Sequence, residues 1–235
     1  MNIKDIVPVN TLAMKYGVKA VIYGPPGSGK TPLVETAPRP LMLVCEPGMM
    51  SLRKSKVPAY LANTHGRIEG FFKWFFGSTE ANQFDTLFID SGSQLAEIVL
   101  SDVFGSFKDG RKVYGEMSRI CMEWFDPLFY MPNKHIIILA KEVSEEYTVT
   151  GNVNGIPTLT TYKFKKPFFP GQDLPMKIAH RYDMIWRANR EVIQGAKQTV
   201  IYCQPTDAFI ARDRSGQLAD KEPGNLSYLF QKAMD

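Results

Sequence analysis

Gly24-Pro25-Pro26-Gly27-Ser28-Gly29-Lys30-Thr31 is the stretch on which the reading of this chain turns. It has the form G-x-x-x-x-G-K-[ST], a loop whose glycines let successive backbone N–H groups turn inward around an anion. Its flanks have the character such a loop needs. The apolar run Val18 to Tyr23 predicts a buried strand that delivers it, and Pro32-Leu33-Val34-Glu35-Thr36 predicts the opening of a helix that receives it. The loop amides and the positive end of that helix both favour phosphate. Lys30 is then expected to reach the β- and γ-phosphates of a nucleotide, and the Thr31 hydroxyl to be one ligand of Mg²⁺. Pro32 has no N–H to offer the α-phosphate, so a weaker grip is expected at that point.

Downstream, Leu41 to Cys45 predicts a second apolar strand, closed by Glu46-Pro47-Gly48. A carboxylate there stands at the carboxyl end of a strand, where open α/β sheets bind ligands. Val57 to Leu61 reads as an edge strand because Pro58 cannot donate to a central ladder. A helix is expected from Arg67 to Phe76. Thr86-Leu87-Phe88-Ile89 then forms a buried strand ending on Asp90, the form of a Walker B segment whose aspartate holds Mg²⁺; the plainer reading is a helix-capping aspartate. Two apolar stripes at helical spacing follow, Leu95 to Val99 and Met117 to Phe129, and both read as core. His135 to Ala140 is the next central strand, ending in Lys141-Glu142. From Val143 to Pro175 the chain is rich in Thr, Gly, Pro and Asn and reads as a functional loop or a β-hairpin insertion. Gln198 to Tyr202 and Phe209 to Gly216 read as strands, and Leu226 to Phe230 as a terminal helix.

With 235 residues, 44% of them apolar, the chain suits a single α/β domain over residues 1–235 with a sizeable core. A formal net charge of +4 permits a polyanionic partner without demanding one. Cys45, Cys121 and Cys203 lie in apolar segments and read as reduced core thiols. His65, His135 and His180 lack ligand-spaced neighbours, so no histidine metal site is expected. No signal-peptide core or membrane-length apolar run is visible, which places the expected location in the cytoplasm.

The residue after Asp90 separates the classes of P-loop protein. AAA+ ATPases have Asp-Glu there, but Ser91 follows here, so a catalytic base must come from elsewhere; Glu46 is the best-placed carboxylate. This combination resembles the RecA-like recombinase core. More closely, VIYGPPGSGKT, LMLVCEPG, DTLFIDSGSQLAE, IIILAKE and ARDRSG resemble a family of small phage-encoded RecA-like ATPases, some of them single-strand annealing or recombination proteins of the Sak type. The resemblance implies a mainly parallel central sheet flanked by helices, with a C-terminal β extension, that binds ATP and Mg²⁺. It implies Glu46 on the attacking water, and Lys141 where RecA has a γ-phosphate-sensing glutamine and the phage family often has histidine. Arg212 and Arg214 would reach the nucleotide of a neighbouring copy in a ring or filament. It also places a DNA-binding loop at residues 143–175, where Tyr162, Phe164, Phe168 and Phe169 can stack on bases while Lys163, Lys165 and Lys166 track phosphates. The residues alone equally allow a hairpin with one apolar and one solvated face. Single-stranded DNA, other copies of the chain and a single-strand binding protein are the implied partners.

Two rival readings use the same loop. One is a small-molecule or nucleotide kinase, against which stands the lack of an arginine-rich lid after the Asp90 strand. The other is a scaffold in which ATP sets a conformational state and turnover is incidental.

Overall fold

The computed structural model describes residues 6–107, 109–153 and 156–235. Its strands are β1 (Lys19–Tyr23), β2 (Pro40–Val44), β3 (Ala59–Leu61), β4 (Thr86–Asp90), β5 (His135–Val153), β6 (Ile156–Phe168), β7 (Met184–Ile193), β8 (Ala196–Tyr202) and β9 (Lys221–Pro223). The helices are α1 (Val9–Lys15), α2 (His65–Gly77), α3 (Gly92–Val103), α4 (Gly110–Phe129), α5 (Asp173–Arg181) and α6 (Leu226–Met234). The sheet runs β3-β2-β4-β5-β1-β7-β8-β9, with β6 paired to β5 outside that path. From β3 to β7 neighbouring strands are parallel, whereas β7-β8, β8-β9 and β5-β6 are antiparallel. The fold is therefore an α/β, RecA-like P-loop architecture with an antiparallel C-terminal extension.

The continuous apolar runs of the central strands follow from burial on both faces. Along β1, Val21 and Tyr23 pack with Ile68, Phe72, Leu95, Phe125 and their neighbours from α2, α3 and α4. Alternate residues Ala20 and Ile22 pack with Leu33, Val34, Leu226 and Phe230 on the other face. The same division by twos separates Ile136 and Ile138 from Ile137 and Leu139 in β5. A one-residue slip would exchange the two cores, so register is tightly specified. Tyr23, Asp90 and Val44 consequently end their strands level with Ala140, where β5 runs on past its parallel neighbours, through the pairs Tyr23↔Ala140, Ile89↔Ile138 and Val44↔Asp90.

Two expectations change, and of the two readings of residues 143–175 the hairpin is the one observed. The helix after the P-loop is a six-residue 3₁₀ turn, Thr31–Thr36, stopped before Pro38 and Pro40. So short a turn has little macrodipole, leaving the loop amides and Lys30 as the main sources of positive potential. Residues 143–175 are no open loop: the described part is the outer arms of the β5-β6 hairpin followed by the start of α5, with Asn154 and Gly155 outside the described residues. Phe209 to Gly216 is no regular strand. It ties β6 to β7 through isolated bridges, Lys165↔Phe209 and Ile185↔Arg212, because it crosses between two elements instead of running beside one.

Candidate functional site

A cavity of about 560 Å³ opens where β1, β2 and β4 end and β5 leaves the parallel sheet. Gly24, Gly27, Lys30 and Thr31 form its loop wall; Glu46, Asp90, Ser91, Lys141 and Glu142 form the opposite side. Gly29 explains part of the motif: its φ is 88°, and a Cβ there would lie 2.1 Å from Thr199 Oγ1. Only glycine allows both that conformation and that approach.

Lys30 Nζ donates to Gly24 O at 2.7 Å, Pro25 O at 3.1 Å and Ser28 Oγ at 3.3 Å, all within its own loop. Burial pushes its pKa down, opposed by the nearby Asp90, Glu142 and Glu46 carboxylates. Thr31 Oγ1 donates to Asp90 Oδ2 at 2.6 Å. Asp90 is buried, which raises its pKa; the Thr31 hydrogen bond and Lys30 lower it, while Glu46 raises it further. A hydroxyl and a carboxylate this close form a pair of hard oxygen donors. That donor set suits Mg²⁺, which takes few protein ligands and completes its octahedron with water and phosphate. Among the described residues no group of three or more His, Cys, Asp or Glu is placed to cage a metal.

Glu46 joins this site through Ser91. Ser91 Oγ donates to Glu46 Oε1 at 3.1 Å and accepts from Gln94 N at 3.2 Å as the N-cap of α3. The serine that replaces the Asp-Glu pattern thus fixes the carboxylate of the neighbouring strand.

The other predicted residues divide. Lys141 lines the cavity, but its ammonium pairs with Glu97 Oε2 at 2.7 Å and Gln94 Oε1 at 3.0 Å on α3. Arg212 and Arg214 are not brought to the P-loop of their own chain. Arg212 lies opposite Ile185, and its guanidinium donates to Ala179 O and Tyr182 O. Arg214 pairs with Asp183 Oδ1 at 3.2 Å, beside the amino end of β7. On the hairpin, Tyr162 stacks on Tyr147 directly opposite, with ring centroids 5.3 Å apart. Lys163 pairs with Glu146 at 3.0 Å and Lys166 with Glu145. The backbone of Lys165 bonds to Ala208 and Ile210. Phe164 and Phe168 are half-buried, and Phe169 belongs to the core.

One pair was missed by sequence reading. Arg187 Nε donates to Glu142 Oε2 at 2.8 Å, both side chains buried, where β5 passes from parallel to antiparallel pairing. Part of the signal was present: Arg187 directly follows the apolar run Met184 to Trp186, and Glu142 stands two residues beyond the apolar run that ends at Ala140.

Strand order and loop together define a P-loop fold of the RecA-like kind, with the His135–Ala140 segment of β5 between the P-loop strand and the Asp90 strand. Residues 16–215 match the family model AAA_24, described as an AAA domain, and the chain belongs to that family. Among curated proteins none matches the sequence. Solved structures similar to it include the KaiC-like protein PH0186 from Pyrococcus horikoshii OT3, at 12% identity and a TM-score of 0.44, covering 88% of this chain and 85% of that one. The RadB recombinase is similar at 12% identity and a TM-score of 0.43, covering 82% and 85%. The flagellar accessory protein FlaH from Methanocaldococcus jannaschii follows at 12% and 0.38, covering 80% and 78%. The fold assignment rests on the strand order and the family match.

Proposed function

We propose that this chain is a Mg²⁺-dependent ATPase that works as an assembly of copies on single-stranded DNA, in phage recombination, annealing or replication within the bacterial cytoplasm. The observation that carries the ATPase reading is the Thr31–Asp90 contact at 2.6 Å with Glu46 held over the same cavity. Mg²⁺, when bound, supplies charge neutralisation on the β- and γ-phosphates. Thr31 and Asp90 would hold it. Lys30 would leave its loop carbonyls for phosphate oxygens, which satisfy an ammonium better because they are charged. Glu46, oriented by Ser91, would align the attacking water and accept its proton. Lys141 would reach the γ-phosphate only by releasing Glu97, which makes that contact a nucleotide-dependent one.

The trans-acting cation falls to Arg214. Arg212 is held by two carbonyls of its own chain, whereas Arg214 is partly exposed and lies at the amino end of the sheet, away from its own P-loop. A cation so placed would serve a neighbour's nucleotide, which makes turnover depend on assembly. DNA contact is supported by the exposed Tyr147–Tyr162 stack on a hairpin whose two arms begin at Lys141 and Phe168, beside the nucleotide cavity. Because Glu146 and Glu145 neutralise Lys163 and Lys166, stacking carries this reading more than charge does. A single-strand binding protein is the further partner it implies.

The test is ATP hydrolysis with and without single-stranded DNA. Glu46→Gln is expected to slow turnover by about 10²–10⁴-fold with ATP affinity kept. Tyr147→Ala with Tyr162→Ala is expected to remove only the DNA stimulation. Full turnover in the Glu46 variant would refute the assigned base, and DNA-independent turnover in the wild type would refute the DNA role.

A further inference from the structure

Among the described residues three carboxylates line the nucleotide cavity, and the chemistry proposed above uses two of them. Asp90 stands with Thr31 as the pair of metal donors, and Glu46 is held by Ser91 for the water. Glu142 has neither role, yet it lines the same cavity. A cavity that receives a polyphosphate is an unfavourable place for a spare negative charge. Such a carboxylate repels the ligand and competes with it for Lys30. The Lys30 ammonium, whose pKa burial lowers, has Glu142 as an opposing influence second only to Asp90.

Glu142 is nevertheless not bonded to Lys30, whose hydrogen bonds end on Gly24, Pro25 and Ser28 within its own loop. Its carboxylate is taken by Arg187: Nε donates to Oε2 at 2.8 Å and Nη2 to Oε1 at 3.4 Å. Among the described residues Arg187 is not one of those lining the cavity, so its influence on the site passes through Glu142. We propose that Arg187 is a positioning residue of the phosphate site: it holds the Glu142 carboxylate off Lys30 and off the incoming phosphates, and so keeps the lysine open to its ligand. The proposal rests on the P-loop reading above and adds to it a residue that touches no ligand.

The strand ends explain why an arginine can do this. Tyr23, the last residue of β1, pairs with Ala140 of β5 on one side and with Arg187 of β7 on the other. Beyond Tyr23 the chain leaves the sheet as the glycine loop, while β5 runs on through Glu142. The gap this opens between β5 and β7 is bridged by side chains, and the Glu142–Arg187 pair is that bridge. The guanidinium has a second partner as well. It lies over the ring of Phe209, 5.2 Å from the centroid, and Phe209 is tied in turn to Lys165 of β6. A planar fork held by a carboxylate and a ring has little freedom to turn away. Lysine would offer neither the two-pronged grip nor the flat face.

Calorimetric titration of the full chain with ATP and with ADP, together with steady-state hydrolysis, tests the proposal. Arg187→Met is expected to bind ATP at least about tenfold less tightly, and to lose more affinity for ATP than for ADP, because an unpaired carboxylate repels in proportion to ligand charge. KM should rise by a similar factor while kcat falls by less than about threefold. Adding Glu142→Gln to that variant removes the repelling charge and is expected to return ATP affinity to within about threefold of the wild type. A role in stability alone would produce neither the ATP–ADP contrast nor the rescue. Wild-type ATP affinity in Arg187→Met, equal losses for ATP and ADP, or a double variant no better than the single one overturns the proposal. Glu142→Gln alone decides the matter if Arg187→Met does not fold, since the carboxamide oxygen still accepts from Nε. It is expected to bind ATP at least as tightly as the wild type; a loss of about tenfold or more would show that the carboxylate serves the ligand and would overturn the proposal. A wild type that binds neither nucleotide refutes the P-loop reading itself, and the role of Arg187 with it.

Discussion

Each end of the parallel sheet has a lysine held by carbonyl oxygens beside a sizeable cavity, half-buried at Lys30 and fully buried at Lys19, yet the two lysines do different work. At the carboxyl end, Lys30 bonds to Gly24 O, Pro25 O and Ser28 Oγ, all within its own glycine loop. At the amino end, Lys19 donates to Gly17 O at 3.2 Å, Met131 O at 3.1 Å and Lys134 O, joining segments more than a hundred residues apart in sequence. Burial lowers both pKa values, that of Lys19 to about 8 against the opposing effect of Asp183. A buried cation is therefore no sign of a ligand site by itself. What separates the two ends is the reach of the partners and the company of carboxylates. Lys30 can exchange local carbonyls for phosphate at little cost and faces Asp90, Glu46 and Glu142; Lys19 cannot leave without opening the end of the sheet.

The sharpest way to break this contrast is to remove each lysine in turn. Lys30→Ala is expected to weaken ATP binding by about a hundredfold or more with a melting temperature near that of the wild type. Lys19→Met is expected to do the reverse. Three carbonyls lose their donor, at a net cost of about 3 kcal/mol and a midpoint lower by roughly 6–12 °C, while the folded fraction binds ATP normally. Calorimetry and thermal melts on both variants decide the matter; loss of nucleotide affinity in a folded Lys19 variant would dissolve the distinction.

The amino end carries a pH dependence of its own, through His135. His135 Nδ1 accepts from Val18 N at 3.0 Å and its ring stacks on Phe230 with centroids 4.1 Å apart. Burial, then the nearby Lys19, pushes its pKa down to about 4 against the weaker upward pull of Asp85. The unfolded chain takes up a proton near pH 6.5 that the folded chain refuses until about 4. The stability contributed by neutral His135 is thus complete above pH 6.5 and lost progressively as the pH falls to about 4, a change of about 2 kcal/mol for this partly exposed ring. Denaturant melts from pH 7 to 4 should fall less steeply for His135→Gln than for the wild type. Identical slopes would remove His135 as the cause.

The same contrast explains how much could be read from sequence. Elements whose cause is local were legible: the glycine loop, the both-faces-buried strands, the aspartate and glutamate that close neighbouring strands. Glu46 and Asp90 converge because β2 and β4 are parallel and in register, which adjacency at strand ends already implied. What was hidden depends on partners distant in sequence. Nothing near Arg212 announces that Ala179 and Tyr182 will take up its guanidinium. The hairpin pairing that sets Glu146 opposite Lys163, and Glu145 beside Lys166, offsets two of the three lysines of an apparently basic run. The buried Glu142–Arg187 pair joins two strands separated by β1. The shortness of the turn after Thr31 was legible in part, since Pro38 and Pro40 were visible, but its 3₁₀ form reflects packing of Leu33 and Val34 into the second core.

The smallest expected effect lies within that turn, at Pro32. It is the second residue of Thr31–Thr36, where a proline costs the turn nothing but withholds an N–H from the loop. Pro32→Ala restores the donor. A hydrogen bond to a charged phosphate contributes more than a neutral one, but here it is offset by the solvation the phosphate gives up, so ATP affinity should rise by about threefold to tenfold. Pyrophosphate, which occupies only the β and γ positions, should bind as before. The added backbone freedom of the unfolded chain should cost about 0.4–1 kcal/mol of stability. The two changes have opposite sign and separate cleanly in titration and melting. Equal ATP affinity in variant and wild type would mean that the α-phosphate is held by groups other than the amide of residue 32, and the grip of the loop would then be complete without it.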